Sequence, residues 1–223
     1  AITQRDLNFF KQLGCKIPAH VAPIGLELKD YKRVDTKHRT PTFCFIGSLD
    51  WMPNSEGIEW VLEKVWSKVL EQAPNAIFHI AGRNTPASLL AKEWKNVIIH
   101  GEVPDAADFI NSHDVMLVPL FSGSGMRVKI LEGMALGKVV LSTDLGLEGI
   151  HAKHKEQVLI ANTVDDYVNE IVACYQNPNS IRVMGTAAAD FIHEYYDNLS
   201  IGKRLLDFYS ELIGAKSVSR AGR

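Results

Sequence analysis

The stretch that most constrains the fold runs from Asp114 to Ile150. Asp114 to Leu120 (DVMLVPL) is short, almost wholly apolar and bounded by polar residues, which is the pattern of a buried strand. Phe121 to Gly125 (FSGSG) is a glycine-rich turn. From Met126 to Leu136 the apolar positions Met126, Ile130, Met134 and the pair Leu131 and Ala135 recur at helical spacing, and Gly137 is placed to end the helix. Lys138 to Ser142 reads as the next strand. A strand, a helix and a second strand joined by short turns make a βαβ crossover, which requires a parallel sheet.

A glycine turn that opens a helix aims several unpaired backbone N–H groups, with the positive end of the helix dipole, at an anion. Arg127 and Lys129 are placed in the first turn, where the dipole disfavours cations, and a bound diphosphate would account for them. Backbone N–H groups of Ser124, Gly125 and Met126 would act beside them. Glu132 lies further along, on a different lateral face, and can accept hydrogen bonds from sugar hydroxyls. The same residues also fit a surface loop followed by ordinary solvated helix charges, and the motif alone leaves both readings open.

The stretch resembles the signature of the GT-B glycosyltransferases called group 1, or family four, on Leu131, Glu132, Met134, Ala135, Gly137, Val139 and Val140. The resemblance implies that Glu132 holds the nucleotide ribose. The family's other glutamate, near the donor sugar, falls on Ser124. The chain is more similar to a branch carrying Gly-x-Arg-x-Lys-x-Leu-Glu, here Gly125 to Glu132. That branch also carries Gly-Ser-x-Asp-Trp-x-x-Asn, matched by Gly47, Ser48, Asp50, Trp51 and Asn54. The cations that the family commonly places after this glycine are missing, so Arg127 and Lys129 are expected to supply charge from the other loop.

The 223 residues carry a formal charge of -2, which argues against a nucleic-acid partner held by a basic field. The basic segment Lys29 to Arg39 reads as a solvated connector. No apolar run is long enough to cross a membrane, and no signal-peptide pattern opens the chain. Cys15, Cys44 and Cys174 are odd in number and widely spaced, which fits a reducing compartment, with Cys44 a small buried hydrophobe. His151 and His154 lack a surrounding ligand pattern and read as a polar loop.

In chain order, Thr3 caps a helix to about Leu13, with Gly14 closing it. His20 to Leu26 is extended. Thr42 to Ile46 is the first strand and ends at Gly47, so the loop from Ser48 to Asn54 lies at a strand's carboxyl end, the ligand edge of an open α/β sheet. Asn54 or Ser55 caps a helix with an unbroken apolar stripe from Ile58 to Leu70. Ala76 to Ala81 is the second strand, with Arg83 just beyond it, equally readable as a surface cation or as a phosphate contact. Pro86 to Trp94 reads as a short helix, and His79 as a packed core histidine. Val97 to His100 is the third strand, and the resemblance places the Gly101 to Val103 turn over the nucleotide base. Val158 to Ile160 is a sixth strand, after a loop in which Glu148 faces either the site or solvent, with solvent the favoured reading. Helices follow over 164–175, 180–195 and 199–213, and Ser217 to Arg223 is expected to fray.

The expected fold is α/β, a Rossmann-like parallel sheet with helices on both faces, forming the C-terminal half of a GT-B fold. Residues 1–36 would be the end of a mostly absent N-terminal domain with its connector. Residues 37–195 would bind the nucleotide sugar, and 196–223 would be a crossover helix and tail. The resemblance implies a retaining transferase, in the cytoplasm or peripheral at the membrane's inner face, that moves a sugar from a nucleotide-diphosphate donor to an acceptor hydroxyl. It implies no cofactor and no metal, and a missing acceptor domain as partner. Arg127 and Lys129 would neutralise the departing diphosphate, while Gly47, Ser48, Asn54, Arg83, Val103, Ser124, Gly125, Met126 and Glu132 line the donor. An epimerase of the same architecture and a non-catalytic binding module remain as alternatives.

Overall fold

The computed structural model describes residues 1–34 and 40–221, with side chains as far as 214. Six strands are present: β1 Phe43–Ile46, β2 Phe78–Ala81, β3 Val97–Gly101, β4 Val115–Val118, β5 Val139–Ser142 and β6 Leu159–Ile160. All pair in parallel, in the order β3-β2-β1-β4-β5-β6. Successive side chains of a strand face opposite ways, and the apolar residues divide accordingly into two cores. Phe43, Phe45, Leu117 and Leu141 pack against α2 (Met52–Trp60), the π-helical turn Val61–Val65, α3 (Trp66–Gln72) and α7 (Val164–Gln176). Cys44, Met116, Val118 and Val140 face α5 (Ala106–Asn111), α6 (Val128–Ala135) and α8 (Pro178–Tyr195). The expected Rossmann-like sheet with helices on both faces is the fold observed.

Local chemistry explains the element ends. In α1 (Gln4–Gln12), Thr3 and Asp6 form a reciprocal capping box. Helix α6 ends in a Schellman motif: Gly137 has φ +70°, and the Lys138 N–H donates to the Gly133 carbonyl at 3.0 Å. Gly133 lets α6 lie close on the sheet, since a Cβ there would stand 2.9 Å from Met116 Sδ.

Several boundaries differ from the sequence reading. Helix α2 starts at Met52, not at Asn54 or Ser55, because Pro53 fits a first turn whose N–H groups have no partner. The apolar stripe behind it is interrupted by the π turn at Val61–Val65. Helix α4 covers only Ala87–Leu90, since the Trp94 indole N–H donates to the Leu89 carbonyl at 3.1 Å and occupies it. Helix α6 starts at Val128, leaving Met126 and Arg127 in the loop. The connector is solvated as expected, with Lys29, Lys32 and Arg33 exposed, and is also pinned: Asn111 donates to Lys32 O at 2.9 Å, and Arg33 donates to Thr186 Oγ1 at 2.9 Å. Its remainder, residues 35–39, lies outside the described residues, as do the last two of the expected frayed tail. Helix α9 runs Asn198–Ala221.

His79 is half-buried rather than a closed core residue, and its Nδ1 lies 2.9 Å from His100 Nε2. His113, 5% exposed, packs with its ring tilted against that of His79 at 4.4 Å and donates from Nδ1 to Phe109 O at 2.7 Å. Burial pushes the His113 imidazole down to about 4, with repulsion from His79 and His100 adding to it and Asp114 opposing. The unfolded value is about 6.5. Stability from this group is therefore complete above about pH 6.5 and is lost as pH falls towards 4, by about 2–3 kcal/mol. Urea unfolding of His113→Gln, which keeps a donor for Phe109 O, should show a shallower loss across that window. An unchanged pH profile would exclude His113 as the source.

Candidate functional site

The loops after β1, β2, β4 and β5 meet at one edge of the sheet, beside the point where the strand order reverses between β1 and β4. The β1 loop is knitted by small polar residues. Ser48 Oγ donates to Asp50 at 2.6 Å, and Asn84 Nδ2 donates to the other Asp50 oxygen at 2.8 Å. Those two bonds hold the Asp50 carboxyl below its usual range. The Leu49 N–H donates to Arg83 O at 2.9 Å and ties the β1 and β2 loops together. The Arg83 side chain stands exposed on the rim.

Lys129 comes from the first turn of α6 and reaches under this unit. Its Nζ donates to Asn54 Oδ1 at 2.8 Å and to Ile46 O at 3.2 Å, and lies 4.5 Å from the centre of the Phe45 ring. Asn54, 4% exposed, donates in turn to Ser48 O at 2.7 Å. Starting α2 two residues early is what frees Asn54 from capping and turns it into this bridge. Gly47 completes the packing, since a Cβ there would stand 2.6 Å from Lys129 Nζ. Burial pulls the Lys129 ammonium down to about 7, and repulsion from Arg127 adds to the shift. A desolvated cation at a helix N-terminus is an arrangement that an anion stabilises.

Arg127 is the N-cap of α6 and not a first-turn residue. Its guanidinium is folded into the glycine loop, where Nη1 donates to the carbonyls of Ser124 and Gly125. The residue is 7% exposed and Nε and Nη2 have no hydrogen-bond partner. Trp51 covers it, with the guanidinium carbon 5.6 Å from the ring centre. Leaving buried charged donors unpaired is costly, and burial draws the Arg127 pKa down. Gly123 and Gly125 have φ +90° and +89°, which L side chains rarely adopt, and so let the loop wrap the guanidinium.

Two carboxylates border the loop. Glu132 accepts from Tyr31 Oη at 2.9 Å, and burial with that hydrogen bond raises the Tyr31 phenol to about 12. Glu148 does not simply face solvent: it accepts from the Gly125 N–H at 2.9 Å and pairs with Arg5 of α1. A cleft of about 750 Å³ lies alongside, bounded by Arg5, Phe9, Gln12, Ser124, Gly125 and Glu148.

The structure therefore brings Gly47, Ser48, Asn54, Lys129, Arg127, Ser124, Gly125 and Met126 to one edge, with Arg83 at its rim. Met126 packs half-buried on the second core beside Gly149. Val103 packs half-buried on the same core, behind the β3 turn. The sequence reading missed Tyr31 and Arg5, whose contacts bridge 101 and 143 residues and leave no periodic signal. Among the described residues no group of three or more His, Cys, Asp or Glu is placed to hold a metal ion.

The fold is that of the C-terminal half of a GT-B glycosyltransferase. The profile of the family described as Glycosyl transferases group 1 matches residues 40–177, and the chain belongs to that family. A Klebsiella pneumoniae protein described as an uncharacterized 44.6 kDa protein in the cps region is 27% identical over 198 residues. That match covers 84% of this chain and 50% of the relative, so the chain spans about half its length. Sucrose-phosphate synthase of Thermosynechococcus elongatus superposes with a TM-score of 0.75 at 17% identity, over 96% of this chain and 58% of that one. Anabaena HepE, solved with UDP and glucose, superposes with a TM-score of 0.71 at 14% identity, over 94% of this chain and 62% of that one. At these identities the likeness to both structures is one of fold.

Proposed function

We propose that this chain is the donor-binding half of a retaining glycosyltransferase, which transfers a sugar from a nucleoside-diphosphate sugar to an acceptor hydroxyl in polysaccharide or glycoconjugate synthesis. The observation that carries the reading is the buried Arg127 guanidinium, with Nε and Nη2 unpartnered inside a glycine loop at the N-terminus of α6. Lys129, also desolvated, stands two residues on. Two cations that lack full compensation, next to backbone N–H groups, suit a diphosphate whose charge grows as its bond to the sugar breaks. Glu132, oriented by Tyr31, suits the ribose hydroxyls. Ser48, Asn54 and Gly47 act through Lys129 by fixing its position.

Placing the reaction requires a second domain for the acceptor. Its seat is supported by the apolar residues Phe9 and Phe10 of α1 and Leu13 just beyond it, each at least half exposed. A cytoplasmic setting is supported by three free cysteines, and no described helix is long and apolar enough to cross a membrane.

Calorimetric titration of the chain with UDP and with GDP tests this reading. One nucleotide should bind saturably, and Arg127→Ala should weaken it about 10- to 100-fold, the effect of losing a charged hydrogen-bond donor. Absence of binding by either nucleotide to folded protein would defeat the proposal.

A further inference from the structure

We propose that Glu148 is an internal counter-anion that occupies the diphosphate position until the donor arrives and then gives up the glycine loop while keeping Arg5. The inference rests on the diphosphate reading of the glycine loop. The Gly125 N–H, one of the donors an anion would use, is already taken by Glu148 Oε2 at 2.9 Å. The same carboxylate stabilises the charged form of Arg127, so it stands within the field of the guanidinium. Arg127 itself is turned inward, with Nη1 spent on the Ser124 and Gly125 carbonyls and its other nitrogens sealed from solvent. This arrangement occupies the loop's carbonyls and its Gly125 N–H from within, while Arg127 Nε and Nη2 stay unpartnered.

A diphosphate and the Glu148 carboxylate cannot share the Gly125 N–H, because two anions at hydrogen-bonding distance from one donor repel strongly in a partly dry site. One must leave. Glu148 has a second partner for its other oxygen, Arg5 Nη1, whose side chain is 76% exposed and free to follow it. Displacement therefore leaves the negative charge on Arg5 alone and releases the loop around Arg127. Donor binding is coupled in this way to the seating of α1 against the loop 143–150. Neither contact is local: Glu148 lies 23 residues from Gly125 and 143 from Arg5.

The test is calorimetric titration of inorganic pyrophosphate and UDP into the full chain and into Glu148→Gln, Arg5→Ala and the double variant. The amide of Glu148→Gln keeps an acceptor for the Gly125 N–H and loses only the charge. It should bind both ligands about tenfold tighter at low salt, and the gain should shrink at high salt as screening removes the competition. Arg5→Ala should bind several-fold more weakly, because the carboxylate has lost its other partner. In the double variant that penalty should vanish.

If the parent chain binds pyrophosphate and Glu148→Gln binds it equally or less well, the counter-anion is refuted while the diphosphate site stands. A gain that is insensitive to salt would also refute it, since a packing effect is not screened. If neither protein binds pyrophosphate while folded, the diphosphate site falls and the counter-anion with it.

Discussion

Replacing Lys129 with methionine is expected to weaken UDP binding about 30- to 100-fold, or about 2–3 kcal/mol, the scale of truncating one partner of a buried charged contact. Methionine fills the space of the lysine stem beside Phe45, so the loss reports on the charge rather than on packing. A distinctive pH dependence accompanies it. Burial, then Arg127, hold the Lys129 ammonium at about 7. An arriving anion favours the protonated form, so the value rises on binding and a proton is taken up near neutrality. Affinity should be highest below pH 7 and should fall as pH rises from about 7 towards the bound-state value. Titration in buffers of different ionisation enthalpy measures the uptake directly, and Lys129→Met should abolish it. Identical heats in all buffers would exclude a titrating Lys129.

The folded stability has its own sign. The unfolded lysine titrates near 10.4, so the folded value is depressed. Stability associated with this group is present above 10.4 and is lost as pH falls to about 7. At neutral pH the lysine is a strain on the fold that only an anion relieves, and Lys129→Met is expected to leave the protein cooperatively folded. Asn54 Oδ1 loses a donor in that variant, which offsets part of the gain.

A large loss of stability is expected from Gly57→Ala. A Cβ on Gly57 falls inside the van der Waals radius of the Pro119 carbonyl oxygen, which is backbone and cannot swing away. Alanine gains about 1 kcal/mol over glycine through helix propensity, whereas overpacking a close contact costs about 1–3 kcal/mol, and this contact with rigid backbone belongs at the upper end. The steric term wins. Gly202→Ala, in α9 with nothing within 4 Å of its Cβ, supplies the control and should be neutral or stabilising. Urea unfolding of the two variants decides the matter: if both shift alike, close approach at Pro119 is not limiting. The displaced β4 loop should also weaken nucleotide binding, since Pro119 leads into the glycine turn that wraps Arg127.

Much of this was legible beforehand for definite reasons. Apolar runs such as VMLV and FCFI are long enough only for strands, and their spacing with intervening helical periods admits a parallel sheet and little else. Thr3 with Asp6 and Gly137 after Ala135 mark helix ends through local hydrogen bonds that the sequence displays. Arg127, Lys129 and Gly125 stood out because they are close in sequence as well as in space. Arg127, however, belongs to the loop and turns inward, and nothing in the order Gly-Met-Arg-Val-Lys distinguishes a first-turn cation from an N-cap cation. The sequence does not decide between the site and solvent for Glu148, because its partners are Gly125 and Arg5, on other elements.

Sequence by itself determined the class of fold, the order of strands and helices and the position of the glycine turn, because these follow from short-range periodicity and turn chemistry. Tertiary structure alone decided which side chains are desolvated and whom they meet. Lys129 titrates near 7 because β1, α2 and α6 converge on it, Tyr31 reaches Glu132 across the connector, and Glu148 reaches Gly125 and Arg5 across three elements. Desolvation and charge pairing depend on distances between segments far apart in the chain, and no local pattern encodes them.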